Sequence, residues 1–281
     1  MSQSSFHRAL KKVLVHEGGK VHDKNDPGGR TNQGITQRVY DAYRQSKKRA
    51  LRDVFLMEDA ERDEIYRRQY WDVIKGDTLP PGVAYVVFDG AVNSGPTQSV
   101  KWLQRSLGSL YEGTVDGIVG ELTLTALRRF EDHDILIERI IERRMAFLRS
   151  LKTWKFYGNG WTARVNDVLQ VGQAWARGSV GPAVTWHEGG NQRALATDAK
   201  APPAVGGADI VTGGGITIAG GSQVINEAKQ ALLPLAGDGG LIDSVVVVLT
   251  ITGVALTLAG IGYRLWAQRK ARKLHEALDP L

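Results

Sequence analysis

His16-Glu17-Gly18-Gly19, followed by Asp26-Pro27-Gly28-Gly29-Arg30-Thr31-Asn32-Gln33-Gly34-Ile35-Thr36, sets the architecture of what surrounds it. Upstream, Phe6, Leu10, Val13 and Leu14 fall at i, i+4, i+7 and i+8, so Ser5 to His16 reads as an amphipathic helix. Gly18 and Gly19 stop that helix, because glycine adopts the left-handed cap conformation without strain. Glu17 then sits in the last turn, where the chain leaves the core. Asn25-Asp26-Pro27-Gly28-Gly29 cannot continue a helix and suits the tip of a hairpin or loop. Ile35 and Thr36 lead into a second helix. A carboxyl at a helix end facing a polar, glycine-bent loop suits general acid chemistry, which needs one acid against a partly apolar wall and a polar group across a cleft.

Glu-Gly-Gly, Asp-Pro-Gly-Gly and Thr-Asn-x-Gly-Ile-Thr together resemble the signature of family 108 glycoside hydrolases, bacterial and phage muramidases that cut peptidoglycan. The resemblance implies that Glu17 is the catalytic acid. Lys20 stands where that family leads one to expect an aromatic residue. The spacing Glu17-x8-Asp26 also resembles the Glu-x8-Asp-x5-Thr pattern of phage-type lysozymes, which implies that Asp26 and a threonine position a water. Asn32 occupies the matching threonine place and Thr31 lies one residue earlier. Asp23 is a rival to Asp26, and Asp26 equally suits the mere start of a turn. A calcium loop over Asp23-Lys24-Asn25-Asp26 is disfavoured, because Pro27 and Gly34 fall at two ligand positions.

The 281 residues carry a formal net charge of +6, and the whole excess lies in residues 1–177, with 28 basic against 22 acidic side chains. Those basic residues are interspersed with acids and match no nucleic-acid module, which argues against nucleic acid and leaves an anionic glycan or lipid as partner. Cysteine is absent, so disulfides, thiolate metal sites and a cysteine nucleophile are excluded. Arg8, Lys11 and Lys12 interrupt the first apolar face, so no secretory signal is expected there. No metal or organic cofactor is implied.

Helices are expected over 37–44, with Thr36 as N-cap, over Met57–Tyr70, Val83–Asn93, Thr97–Leu107, Ile135–Leu151 and Trp161–Ala176. Trp71 is a candidate for the lip of a sugar cleft, with core packing as the alternative. Asp89-Gly90-Ala91-Val92-Asn93-Ser94-Gly95-Pro96, Trp102-Leu103-Gln104, Asp116-Gly117 and Asn159-Gly160-Trp161 with Arg164 resemble the peptidoglycan-binding segment that follows the catalytic motif in these muramidases. Asp89 and Asn93 are candidates for substrate binding, with capping and core polar satisfaction as the alternative.

The expected organisation is a catalytic region over 1–93, a peptidoglycan-binding helical region over 94–177 and a flexible Gly/Ala/Pro linker over 178–240. The first two are expected to share one fold, since no linker separates them. A transmembrane helix over 241–263 and a basic tail over 264–281 follow. No charged residue occurs from Ser244 to Tyr263, a run about as long as the ~20 residues that span a bilayer. Arg264, Arg269, Lys270, Arg272 and Lys273 follow at once, so the positive-inside rule puts the C-terminus in the cytoplasm and the enzyme on the periplasmic face of an inner membrane. The expected fold is mainly α, a lysozyme-like helical domain with a small β-hairpin at the active site. The expected function is an inverting muramidase acting through Glu17, Asp26 and Thr31. A non-catalytic, membrane-anchored peptidoglycan-binding protein is the rival.

Overall fold

Helix α1 (Ser5–Glu17) starts where the Ser4 hydroxyl accepts the amide of His7 at 3.4 Å, and it ends at Gly18, which has φ +72°. In this computed structural model, which describes residues 4–22, 29–201 and 258–274, Phe6, Ala9, Leu10 and Val13 of α1 face the core. The chain then forms a three-stranded antiparallel sheet, β1 (Lys20–His22), β2 (Arg30–Asn32) and β3 (Ile35–Thr36). Lys20 pairs with Asn32 and His22 with Arg30, while Thr31 pairs with Thr36 across a two-residue turn. Thr36 caps α2 (Gln37–Ser46), its hydroxyl accepting the Val39 amide.

The charge-dense stretch read as one helix over Met57–Tyr70 divides in two. An α-helix, α3 (Asp59–Tyr66), opens with a capping box between Glu58 and Glu61 and passes into a π-helical turn, Arg67–Trp71. The wider turn swings Trp71 into the core, where its ring meets Phe6 and Phe88 edge-on at centroid distances of 5.6 and 5.3 Å. Trp71 is 1 % exposed and donates its indole N–H to Asp77 at 2.9 Å. This corrects its assignment to the lip of a cleft: it is a core residue.

Helix α4 (Pro81–Ser94) is the axis of the fold. Apart from Pro81 every residue along it is buried, and it packs against α5 (Pro96–Ser106), α7 (His133–Ser150) and α8 (Trp154–Ala176). Its all-round apolar character is what a helix surrounded by others requires. Burying a side chain such as Phe88 in this setting contributes about 1.5–3 kcal/mol. Close approach of α4 to α8 depends on Gly82, where a Cβ would come within 2.3 Å of the Gly172 carbonyl oxygen. One helix, α6 (Glu121–Arg129), is additional to those expected from sequence.

Residues 1–200 form one compact unit. Regions 1–93 and 94–177 are joined within it through the packing of α4 on α5, α7 and α8. Residues 178–200, read from composition as the start of a flexible linker, belong to this unit. They form a strap of extended stretches, turns and a short 3-10 helix (Ala196–Asp198), held to the helices beneath by hydrogen bonds. Lys12 donates to the Pro182 carbonyl at 2.6 Å, and the amides of Lys152 and Lys200 reach Asp198 and Ser150. Ala194 is fully buried, its amide donating to the Asn93 carbonyl at 3.0 Å. Residues 202–240 of the expected linker lie outside the described residues.

A second unit comprises residues 201–280, of which 258–274 are described and helical. Positions 241–257 of the expected membrane span lie outside the described residues. Among the described residues no helix is long and apolar enough to cross a membrane.

Candidate active site

Glu17 is the last residue of α1 and is 7 % exposed. The β2–β3 turn closes over it. Gln33 and Gly34, the two residues of that turn, have φ of +48° and +75°, the left-handed values of a type I′ hairpin turn. Gly34 presses its backbone against the acid: a Cβ there would lie 2.6 Å from Glu17 Oε2 and 2.7 Å from Tyr66 Oη. Three contacts hold the turn in place. Tyr66 donates to the Gln33 carbonyl at 2.8 Å, Arg62 donates to the Gln33 side chain at 3.0 Å, and the Gln33 amide reaches the Gly19 carbonyl at 3.1 Å.

Beneath the acid lies a buried charge cluster. Arg164 of α8, fully buried, places Nη1 2.9 Å from Glu17 Oε1, within ion-pair distance but off the line of a hydrogen bond. The same nitrogen donates to the Gly190 carbonyl at 3.0 Å. Nε and Nη2 of Arg164 grip Asp89 of α4 at 3.1 and 2.9 Å. Arg144 of α7 donates to the other side of Asp89 at 2.7 Å and to Asn93 Oδ1 at 3.3 Å. Four elements distant in sequence thus fix the orientation of one guanidinium beside Glu17.

Burial drives the Glu17 carboxyl upward, the Arg164 charge opposes it, and the net shift is above the ordinary glutamate value. Burial would also raise Asp89, but there the guanidiniums of Arg164 and Arg144 prevail and hold it below the usual carboxylate range. Two carboxyls joined by one arginine are therefore pushed apart, one toward keeping its proton and the other toward losing it, the arrangement that separates acid from counter-ion roles. Burial lowers the His16 imidazole to about 4, so it stays neutral at physiological pH. Arg193 of the strap donates to Tyr70 Oη at 2.5 Å, and the Tyr70 ring lies 5.7 Å from that of Tyr66.

The structure places the expected site residues unevenly. Glu17 is central. Asp26 and its rival Asp23 lie outside the described residues. Thr31 is half-buried on β2, where alternation turns it away from the buried Asn32 side chain, and its hydroxyl donates to the Gly29 carbonyl at 3.5 Å. Asp89 is fully buried and Asn93 is 2 % exposed, and both spend their hydrogen bonds on protein groups. That corrects their assignment as substrate contacts: they orient Arg164 and Arg144. Residues the sequence reading did not place at the site are Arg164, Arg144, Tyr66 and Arg193. The one available signal was an arginine, Arg164, set among the apolar positions Trp161, Val165 and Val168 of α8. Among the described residues no group of three or more His, Asp or Glu is clustered to hold a metal.

The family model described as Glycosyl hydrolase 108 matches residues 10–95, and that described as Predicted Peptidoglycan domain matches residues 98–166. The solved structure of SagA from Brucella abortus is 36 % identical over 62 % of this chain and 96 % of that one, with a TM-score of 0.54. No curated protein matches the chain. Glu17, Gly34 and Asp89 all fall within the first matched region, and Arg144 and Arg164 within the second, so the charge cluster joins the two. The chain belongs to the glycosyl hydrolase 108 family and carries its peptidoglycan segment within the same helical fold.

Proposed function

We propose that the protein is a muramidase that hydrolyses the β-1,4 bond between N-acetylmuramic acid and N-acetylglucosamine. The observation that carries this reading is Glu17: a carboxyl at a helix end, nearly buried, with its affinity for the proton raised and an arginine beside it. Such a group is biased toward holding its proton for a leaving oxygen. Glu17 protonates the glycosidic oxygen as the C–O bond breaks. A water attacks the anomeric carbon from the opposite face and gives its proton to Asp26, with Thr31 helping to orient it. One displacement of this kind inverts the anomeric configuration. Support for Asp26 comes from the sequence spacing alone, and Thr31 is the threonine next to the matching place, which Asn32 occupies.

The test uses purified peptidoglycan and the full chain. New reducing ends without new amines are the expected product, with the α-anomer first in proton NMR of a fresh digest. New amines would mark a peptidase. Binding with neither product would favour the non-catalytic peptidoglycan-binding protein. An initial β-anomer would remove the water-positioning role from Asp26.

The proposal includes a membrane tether. The uncharged run from Ser244 to Tyr263, followed by Arg264, Arg269, Lys270, Arg272 and Lys273, supports a single span with the enzyme on the periplasmic side. The full chain is then expected to sediment with membranes at high salt, and a chain ending at residue 237 to remain in the supernatant. A full chain that stays in the supernatant overturns the tether.

A further inference from the structure

The strap of residues 178–200 reaches Glu17 from two directions. On one side it carries Arg193 onto Tyr70, next to the Tyr66 that faces the acid. On the other side it brings Trp186 against Gly18, the residue after Glu17. A Cβ built at Gly18 would lie 3.1 Å from Trp186 Nε1 and 3.6 Å from Cδ1, so the indole edge rests directly on the helix end. Trp186 is 53 % exposed, and among the described residues no ring or cation packs on its face.

A half-exposed tryptophan needs a reason, since burying it would gain the apolar area it leaves in water. Anchoring the strap is not that reason. Elsewhere along the strap, Arg164 donates to Gly190, Asn93 and Trp161 donate to the Gln192 carbonyl at 2.8 and 2.9 Å, and His187 meets Asp167 at 3.2 Å. These contacts flank Trp186 in sequence, the nearer one through the part-buried Asp167 and the others through buried Arg164, Asn93 and Trp161. What they leave is a half-exposed indole beside Gly18, at the end of the helix that carries Glu17. A pyranose ring presents a matching flat face of C–H groups.

We propose that Trp186 is the sugar platform of the cleft, stacking on a pyranose ring next to the bond that Glu17 protonates. Residues 178–200 then complete the substrate site from outside the two matched family regions, which end at residue 166. The inference rests on the muramidase reading for the identity of the sugar.

The test compares the full chain with Trp186→Ala, Trp186→Leu and Trp186→Phe, using soluble glycan strands prepared from peptidoglycan. Both kcat and KM are measured, with strand binding followed directly by calorimetry. Trp186→Ala is expected to raise KM and Kd roughly five- to tenfold, the scale of one aromatic contact, with kcat within about twofold of wild type. Trp186→Phe restores most of the binding, because it keeps an aromatic face, and Trp186→Leu does not, because it keeps only bulk. If Leu binds as well as Phe, or if Ala binds as well as wild type, the platform is wrong and Trp186 merely packs. Should Ala loosen the strap and lower the melting temperature, the Leu–Phe comparison still decides. A wild-type chain that releases no reducing ends refutes the muramidase reading instead, and the binding series still reads the platform.

Discussion

Glu17→Gln is expected to lower the release of reducing ends from peptidoglycan by roughly 10³-fold, within the range for loss of a general acid. The swap is nearly isosteric. Arg164 keeps its three hydrogen bonds to Asp89 and its bond to the Gly190 carbonyl, so the fold has no cause to change. Stability should in fact rise. A carboxyl whose proton affinity is higher folded than unfolded adds stability that is complete below the unfolded pKa of about 4.3 and is lost as pH climbs through the folded value. Glutamine cannot ionise and escapes that loss. Thermal denaturation at pH 7 to 8 should find Glu17→Gln at or above the wild-type melting temperature, while the two converge near pH 4. The activity of wild type should fall on the alkaline side as Glu17 loses its proton. Activity of Glu17→Gln near wild type, or a melting temperature several degrees lower, would remove Glu17 from the role of buried acid.

Asp89→Asn should be strongly destabilising although the change is conservative. It removes the carboxylate shared by two guanidiniums, each at most 1 % exposed. Breaking a buried ion pair from one side costs about 3–5 kcal/mol, because the remaining charge stays buried without its counter-ion. At roughly 2–4 °C per kcal/mol for a unit of this size, the melting temperature should drop by about 6–20 °C. A second effect separates Asp89 from a simple structural residue. The Asp89 charge adds to burial in raising the Glu17 carboxyl, and once it is gone burial alone opposes the lowering effect of Arg164. Whatever activity survives should lose its alkaline limb at lower pH than wild type. In the wild-type protein the depressed Asp89 carboxyl contributes stability above the unfolded value of about 3.9, lost only as pH falls through its lower folded value. Asp89→Asn should therefore flatten the acid end of the stability curve. An unchanged melting temperature and pH profile would contradict the cluster.

Features dictated by local chain chemistry were legible in the sequence. Gly18, Thr36 and Pro96 mark helix ends through their backbone and side-chain preferences, and each stands at the end it announces. The place of Glu17 at the end of α1 was legible because a glycine pair follows it, while its role as the acid is what the family resemblance implies. The partners of Glu17 were not legible. Gln33 adopts a positive φ because Tyr66 and Arg62, 33 and 29 residues away, hold its carbonyl and side chain. Nothing in a glutamine signals that conformation. Arg144 and Arg164 look like solvated charges until three helices bring Asp89 between them. Trp71 entered the core through a π-turn that periodicity cannot foresee. The strap misled for the opposite reason: its glycines and prolines resemble a tether, yet its order comes from helix side chains that donate to its carbonyls.

The cluster around Arg164 has a consequence in its charge count. Two guanidiniums share this interior with two carboxyls, and His16 beside them is neutral. With Glu17 protonated, one positive charge is unmatched. Once Glu17 hands its proton to a departing oxygen, positive and negative charges are equal. In the proposed mechanism the step that breaks the glycosidic bond is thus also the step that balances these four buried charges. In that mechanism burial favours the proton on Glu17 before the step, while the Arg164 charge favours its departure. Reprotonation after each turnover must restore the imbalance, which places a cost on resetting the acid rather than on spending it.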